Sequence, residues 1–88
     1  MSIKIVDLIS PAQCRGARAL LGITQTQLAS AANLGLSTVV DFERERRQVS
    51  ADAVEAIRDA LENAGIEFIN ENGGGPGVRL RKHQRKKG

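Results

Sequence analysis

Apolar side chains recur every three or four positions through the middle of the chain, a spacing that predicts short amphipathic helices. In the segment from Thr24 to Glu43, five apolar residues are spaced to share one small core over two helices: Leu28, Ala29, Leu34, Val39 and Phe42. Thr24 and Gln27 have the spacing of a capping box. Asn33 stands where the chain turns, and asparagine tolerates a positive φ better than most residues. The pattern predicts helices from about Gln25 to Ala32 and from Leu36 to about Arg46, joined by a tight turn.

Helices are also predicted on both sides of this pair. Ser10 followed by Pro11 is a helix-start pattern, and the helix to Leu21 ends at Gly22. Its expected inner side carries Cys14, Ala17, Leu20 and Leu21. Ser50 caps a further predicted helix over residues 51–63, whose apolar stripe consists of Ala53, Val54, Ile57, Ala60 and Leu61. In the helix that begins near Leu36, we expect Val39 and Phe42 to face inward, with Arg46 as a candidate third member of that stripe.

Two strands are predicted after the helices. Residues 66–69 and 78–81 both alternate, and the Gly-rich segment between them is incompatible with a helix. We therefore expect an antiparallel hairpin, which would be marginal without a third strand. Residues 3–9 are the candidate for that strand, from the same chain or from a partner. The predicted organisation is an N-terminal strand or arm at 1–9, a helical domain at 10–64, the hairpin at 65–82 and a disordered basic tail at 83–88.

Positive charge is concentrated at the C-terminal end of the chain. The 88 residues carry a formal net charge of +3. Residues 1–77 hold seven Lys or Arg against all ten acids, hence −3, whereas residues 78–88 hold six Lys or Arg and no acid, hence +6. A basic tail on an acidic body favours a nucleic-acid partner, because phosphate contacts supply most non-specific affinity. A disordered tail that only improves solubility is the alternative.

The chain lacks the residue patterns of an enzyme, a metal protein or a membrane protein. Cys14 is the only cysteine, so one chain forms no disulfide, and we interpret Cys14 as a small residue of a helix. The glycines at 73–77 lack the Gly-Lys-Ser/Thr ending of a phosphate loop, and His83 has no catalytic partner. No apolar run is long enough to span a membrane, and the first ten residues lack a signal-peptide core. We expect no catalysis, no cofactor, no metal, no membrane partner and a cytoplasmic location.

The helical segment, residues 11–64, contains a set of short motifs: Ala19-Leu20-Leu21-Gly22, Thr24-Gln25, Leu28-Ala29, Ser37-Thr38-Val39, Phe42-Glu43-Arg44 and Ser50. With these motifs the segment resembles the Cro/lambda-repressor (XRE-type) helix-turn-helix family. The continuation through Gly65-Ile66-Glu67-Phe68-Ile69 and the Gly-rich segment to Leu80 looks like a compact bacterial branch of this family. The resemblance implies a mainly α fold, a four-helix lambda-repressor-like domain with a short C-terminal β-hairpin that an N-terminal strand can join. It also implies a DNA-binding transcriptional regulator.

The same resemblance implies a DNA-binding surface on the two central helices. Gln25, at the start of the first of them, would contact a phosphate or a base edge. The second would turn five residues toward the major groove: Leu36, Ser37, Thr38, Val40 and Asp41. Arg44 would lie near the DNA backbone, and Gln27, Arg46 and Arg47 complete the predicted site. Glu43 is expected to be structural and to pair with Arg18 or Arg47.

Three features depart from the family pattern. Asn33 replaces the usual glycine of the turn, and Gly35 replaces the Ser or Thr that usually caps the reading helix. The groove-facing set contains no Arg, Lys, Asn or Gln, the side chains that make bidentate contacts with guanine or adenine. Asp41 would accept from cytosine, but an acid in the groove also repels phosphate. Base reading would then rest on thymine-methyl contacts of the apolar positions, on DNA shape, and on Gln25, Gln27, Ser37 and Thr38.

Two functions remain open from the sequence. The first is a sequence-specific regulator that binds a palindromic operator in double-stranded DNA as a homodimer, with the hairpin as the candidate dimer surface. The second is a protein-interaction module, an anti-activator or adaptor, that kept the fold without the DNA surface. The apolar and acidic character of the reading helix is the main support for the second.

Overall fold

The computed structural model describes residues 8–81, which form four helices followed by a two-stranded antiparallel hairpin. The elements are α1 (Pro11–Leu21), α2 (Gln25–Ala32), α3 (Leu36–Arg44), α4 (Ala51–Asn63), β1 (Ile66–Ile69) and β2 (Gly77–Leu80). The predicted mainly helical class is confirmed, with each predicted helix in its place. The second strand begins and ends one residue earlier than predicted.

Three helices begin at hydroxyl caps that the sequence predicts. The hydroxyls of Ser10 and Thr24 each accept a hydrogen bond from the backbone N–H of the glutamine three residues on. The side-chain oxygen of that glutamine accepts in turn from the backbone N–H of the cap residue, so both are complete capping boxes. Ser50 accepts from the N–H of Ala53. α3 instead begins at Gly35 without a side-chain cap, and the N–H of Thr38 donates to the carbonyl of Gly35 at 3.1 Å.

The end of α3 differs from the prediction. The helix stops at Arg44, because Glu45 adopts a left-handed conformation with φ of 55°. The N–H of Glu45 then donates to the carbonyl of Phe42, and the N–H of Arg46 donates to the carbonyl of Asp41 at 2.9 Å. This reversal leaves Arg46 exposed, so its expected inward position was wrong.

All four helices and the first strand contribute to one small core. Leu28, Val39, Ile57, Leu61 and Ile66 have no exposed surface, and Ile9 closes the core from the N-terminal side. In α1, Cys14 and Ala17 are fully buried as predicted, whereas Leu20 is 44% exposed. Leu20 lies one turn after Gly16 and outside the buried stripe of α1, so the prediction that it faces inward was wrong.

The hairpin packs on α1 through two small features that sequence reasoning did not identify. Ile66 pairs with Leu80 and Phe68 with Val78 across the strands. A Cβ built on Gly16 would lie 3.3 Å from Cγ2 of Val78, so glycine permits the close approach of α1 to β2. The amide nitrogen of Gln13 donates to the carbonyl of Gly77 at 3.0 Å and to that of Ile69 at 3.4 Å. These bonds fix the loop end of the hairpin to the start of α1.

The expected third strand is not seen in the part of the chain that the structure describes. Leu8 and Ile9 belong to no strand, and the remainder of the proposed N-terminal strand lies outside the described residues. The proposed disordered tail at 83–88 lies outside them as well. Within residues 8–81 the sheet consists of β1 and β2 alone.

Candidate nucleic-acid interface

The turn between α2 and α3 is built by a polar residue in an unusual conformation and an apolar residue beneath it. Asn33 is left-handed, with φ of 59° and ψ of 44°. The next N–H, of Leu34, donates to the carbonyl of Ala29 at 2.9 Å, and the Leu34 side chain packs against the core. Ala29 is 4% exposed. Its small side chain permits the close approach of the two helices.

The two sides of α3 differ sharply in exposure. Val39, Phe42 and Glu43 are buried, whereas Leu36 is 46% exposed. The other positions predicted to face the groove are also accessible: Ser37 is exposed, and Thr38, Val40 and Asp41 are half-buried. The structure therefore brings the five predicted groove-facing residues together on the accessible side of one helix. Arg44 is exposed at the end of the same helix.

Glu43 holds α3 to α1 and α2 through a buried carboxylate that is only 1% exposed. Arg18 donates from Nε to one carboxylate oxygen and from Nη2 to the other, each at 2.8 Å. Gln25 donates from its amide nitrogen at 3.0 Å, and the Cys14 thiol donates at 3.1 Å. We call these four residues the Glu43 cluster. Of the two partners that the sequence left open for Glu43, the structure shows Arg18.

The charge state of the Glu43 cluster follows from these contacts. Burial by itself would raise the pKa of Glu43, but the hydrogen bonds from Arg18, Cys14 and Gln25 outweigh burial and hold that pKa below its ordinary value. Burial also raises the pKa of the Cys14 thiol, with the neighbouring Glu43 carboxylate adding to the effect. Glu43 is therefore an anion at neutral pH, and Cys14 is a protonated, enclosed thiol that acts as a hydrogen-bond donor.

Two glutamines of the predicted site also have roles in holding the fold. Gln25 uses its amide nitrogen on Glu43, so its side chain is fixed at the start of α2. Gln27 uses its amide oxygen to accept from the N–H of Thr24 at 2.9 Å. Both lie at the amino end of α2, as predicted. Their orientations are set by these bonds before any ligand arrives.

Asp41, the acid of the predicted groove surface, is paired. Arg47 donates from Nε to an Asp41 carboxylate oxygen at 2.8 Å. Sequence reasoning missed this pair because Arg47 lies beyond the end of α3, and the turn at Glu45 brings it back. Among residues 8–81, the side chains of Arg44 and Arg46 have no hydrogen-bond or ion-pair partner, so they are the free cations next to α3.

The arginines of the hairpin have partners within the protein. Arg79 forms two hydrogen bonds with the carboxylate of Glu67 across the strands. Arg81 donates to the carbonyls of Glu62 and Ile66. The positive charge available to a ligand on the described surface therefore lies beside α3, on Arg44 and Arg46, more than on the hairpin.

The described residues carry no group of acidic, cysteine or histidine side chains that is able to hold a metal ion. No helix within residues 8–81 is long and apolar enough to cross a membrane.

The comparison with known families agrees with this geometry. A helix-turn-helix family model, HTH_3, matches residues 15–67, more than half of the chain and all of α2, α3 and α4. No curated protein matches the chain. The accessible side of α3, the turn at Asn33 and the buried scaffold behind them are the parts that the family match spans. The chain belongs to the Cro/C1-type (XRE) helix-turn-helix family of DNA-binding regulators, which are typically not enzymes.

Proposed function

We propose that the protein is a sequence-specific transcriptional regulator that inserts α3 into the major groove of double-stranded DNA. The observation that carries this proposal is the division of α3 into two sides. One side is fixed to the core by Val39, Phe42 and Glu43, and the other presents its residues to solvent with free cations at its end. A recognition helix needs both a rigid mount and an accessible row of side chains.

The proposed contacts fall into two classes. Ser37 and Thr38 reach base edges with their hydroxyls, while Leu36 and Val40 contact thymine methyl groups. Gln25 and Gln27, held at the amino end of α2, approach a phosphate or a base edge. Arg44 and Arg46 contact phosphates and supply sequence-independent affinity, which falls as salt rises. Asp41 and Arg47, joined as an ion pair, act together at this surface.

We propose a homodimer on a palindromic operator. α3 has nine residues and is about 13 Å long, so one copy reads only a few base pairs. Two copies whose reading helices lie roughly 34 Å apart would meet the same groove one turn later. The hairpin is the proposed dimer surface, since Leu80 at the end of β2 is 50% exposed and the outer edge of β2 has no strand beside it among residues 8–81. The site of action is the cytoplasm, and the role requires no cofactor and no catalysis.

The test is selection of bound sequences from random duplex DNA, followed by gel shifts over a series of salt concentrations. Specific binding that is lost in a Thr38→Ala and Arg44→Ala double variant supports the proposal. Arg58→Ala is the matched control, because it removes one arginine from α4, outside the proposed DNA surface and the hairpin strands, and should leave sequence preference intact. Absence of any selected sequence at low salt contradicts the proposal. Light scattering of the free protein and of the complex gives the number of chains in each.

A protein-interaction module is the second candidate function. Its support is Leu36, which is 46% exposed at the start of α3, together with the absence of Arg, Lys, Asn and Gln from the five predicted groove-facing positions. This function predicts no DNA preference and a protein partner that is lost on Leu36→Asp. The same DNA selection therefore separates the two candidates.

A further inference from the structure

The ion pair between Asp41 and Arg47 places an arginine beside the accessible side of α3. The predicted groove-facing residues of that side include no arginine. Arg47 donates to Asp41 through Nε, at 2.8 Å. Its two terminal nitrogens, Nη1 and Nη2, have no partner among residues 8–81. The guanidinium is therefore held by Asp41 at Nε, while Nη1 and Nη2 remain available to bind a ligand.

The position of Arg47 is fixed by the backbone as well as by the ion pair. The left-handed turn at Glu45 ends α3, and the N–H of Arg46 donates to the carbonyl of Asp41 itself. The residue that follows is thus delivered beside Asp41 rather than further along the helix axis. Arg47 also lines a shallow surface pocket with Pro11, Phe42 and Val49. Its side chain is 52% exposed, so it remains accessible to a ligand while it is bound to Asp41.

The Arg47 guanidinium can bind one of two groups of a DNA duplex, a backbone phosphate or a base. Asp41 shares the accessible side of α3 with Ser37 and Thr38, four and three residues earlier, so its partner is held on the row that would enter the groove. A carboxylate next to the guanidinium weakens attraction to a phosphate, because it cancels the charge that phosphate binding uses. A guanine instead offers two neutral acceptors, O6 and N7, that match the two terminal nitrogens of a held arginine.

We propose that Arg47 reads a guanine in the major groove through Nη1 and Nη2, and that Asp41 is the residue that positions it. This inference rests on the proposed insertion of α3 into DNA. It assigns Asp41 a role different from accepting a bond from cytosine. It also supplies the bidentate reader that is absent from the five predicted groove-facing positions, from a residue three positions beyond the end of the helix.

The test measures base preference in the full chain. Random-sequence selection with the wild type defines the half-site, and affinities are then measured for that site and for each single base-pair change. Arg47→Ala should lower the preference for guanine at one base pair of each half-site by about tenfold or more, with the other positions unchanged. Asp41→Ala should give a loss at the same base pair, and the double variant should add little. Asp41→Asn keeps an oxygen that can accept from Nε and should retain part of the preference.

Two controls separate this reading from a general loss of binding. Arg58→Ala removes an arginine from another surface ion pair, that with Glu62 within α4, and should leave the guanine preference unchanged. A 7-deazaguanine at the assigned base pair removes N7, so it should weaken binding of the wild type and not of Arg47→Ala. Both ion pairs lie at the protein surface and contribute little to folding, so these variants should remain folded.

Three results would overturn the inference. An equal loss for every sequence on Arg47→Ala, with a shallower dependence on salt, would show a phosphate contact and leave the proposed function standing. A guanine preference that survives Asp41→Ala would remove the positioning role. A wild-type protein that selects no sequence would contradict both this inference and the proposed function.

Discussion

Replacing Glu43 by alanine is expected to lower the free energy of unfolding by about 3 kcal/mol, because it leaves the remaining donors of the Glu43 cluster without their acceptor. Removing one partner of a buried ion pair costs about 3–5 kcal/mol. The Arg18 side chain is 21% exposed and can be partly rehydrated, which favours the lower end of that range. The amide of Gln25 and the thiol of Cys14 lose the same acceptor.

The size of this effect makes it easy to measure. At about 0.05–0.15 kcal/mol per residue, an 88-residue domain has a total stability of roughly 4–13 kcal/mol. A loss of about 3 kcal/mol is therefore a large part of the whole and lowers the melting temperature by on the order of 10–20 °C. Chemical denaturation followed by circular dichroism gives the free energy directly. Arg18→Ala and the double variant complete a cycle whose coupling energy should be about 2 kcal/mol.

The pH dependence gives an independent measurement of the same carboxylate. Its pKa is lowered in the folded protein, so its contribution is complete above the ordinary value of 4.5 and is lost as the pH falls through the folded-state pKa. The wild type should therefore lose stability on acidification below that value, and Glu43→Gln should lose less. Glu67→Ala is the matched control, since Glu67 is an exposed acid paired with an arginine, and it should change stability little. A cost below about 1 kcal/mol for Glu43→Ala, with unfolding still cooperative, would refute the reasoning.

Four further predictions concern the hairpin, the turn after α3 and the C-terminal tail. Gln13→Ala should lower stability by about 1–2 kcal/mol and speed hydrogen exchange in the hairpin, because it removes a cap bond and two bonds to strand carbonyls; unchanged exchange would contradict this. Gly16→Val should cost about 1–3 kcal/mol in denaturation experiments by forcing the hairpin from α1, and no cost would show that the hairpin yields freely. Glu45→Gly should raise stability by less than about 1 kcal/mol, since glycine adopts the left-handed conformation without strain but loses more entropy on folding; a decrease would argue against strain there. Deleting residues 82–88 should weaken binding to all DNA alike and flatten its salt dependence, and an unequal loss across sequences in gel shifts would mean that the tail reads bases.

The parts of the fold that could be predicted are those whose signals are local. The bonds at Ser10, Thr24 and Ser50 join residues three apart, so residue type and spacing are enough to place three helix starts. Asn33 marked the turn before α3 for the same reason. Such signals depend on the backbone within one turn of helix, and tertiary packing leaves them in place.

The features that were missed depend on residues distant in sequence or on a conformation that the residue type does not favour. Glutamate rarely adopts a positive φ, so the end of α3 at Glu45 had no sequence signal. That error also hid the pairing of Arg47 with Asp41, which exists only because the chain reverses there. The hydrogen bonds from Gln13 to the hairpin join residues 56 and 64 positions apart, and the spacing of apolar residues along the chain does not predict such contacts.

The position of Glu43 on the buried side of α3 has a consequence for which residues of this protein can be substituted during evolution. The side chains that attach α3 to the domain, Val39, Phe42 and Glu43, are separate from those on its accessible side. Substitutions at Ser37, Thr38 and Asp41 therefore leave the hydrophobic core and the buried carboxylate intact. Under the proposed insertion of α3 into DNA, the target can be exchanged at these positions, in evolution or in design, while the same scaffold is inherited unchanged.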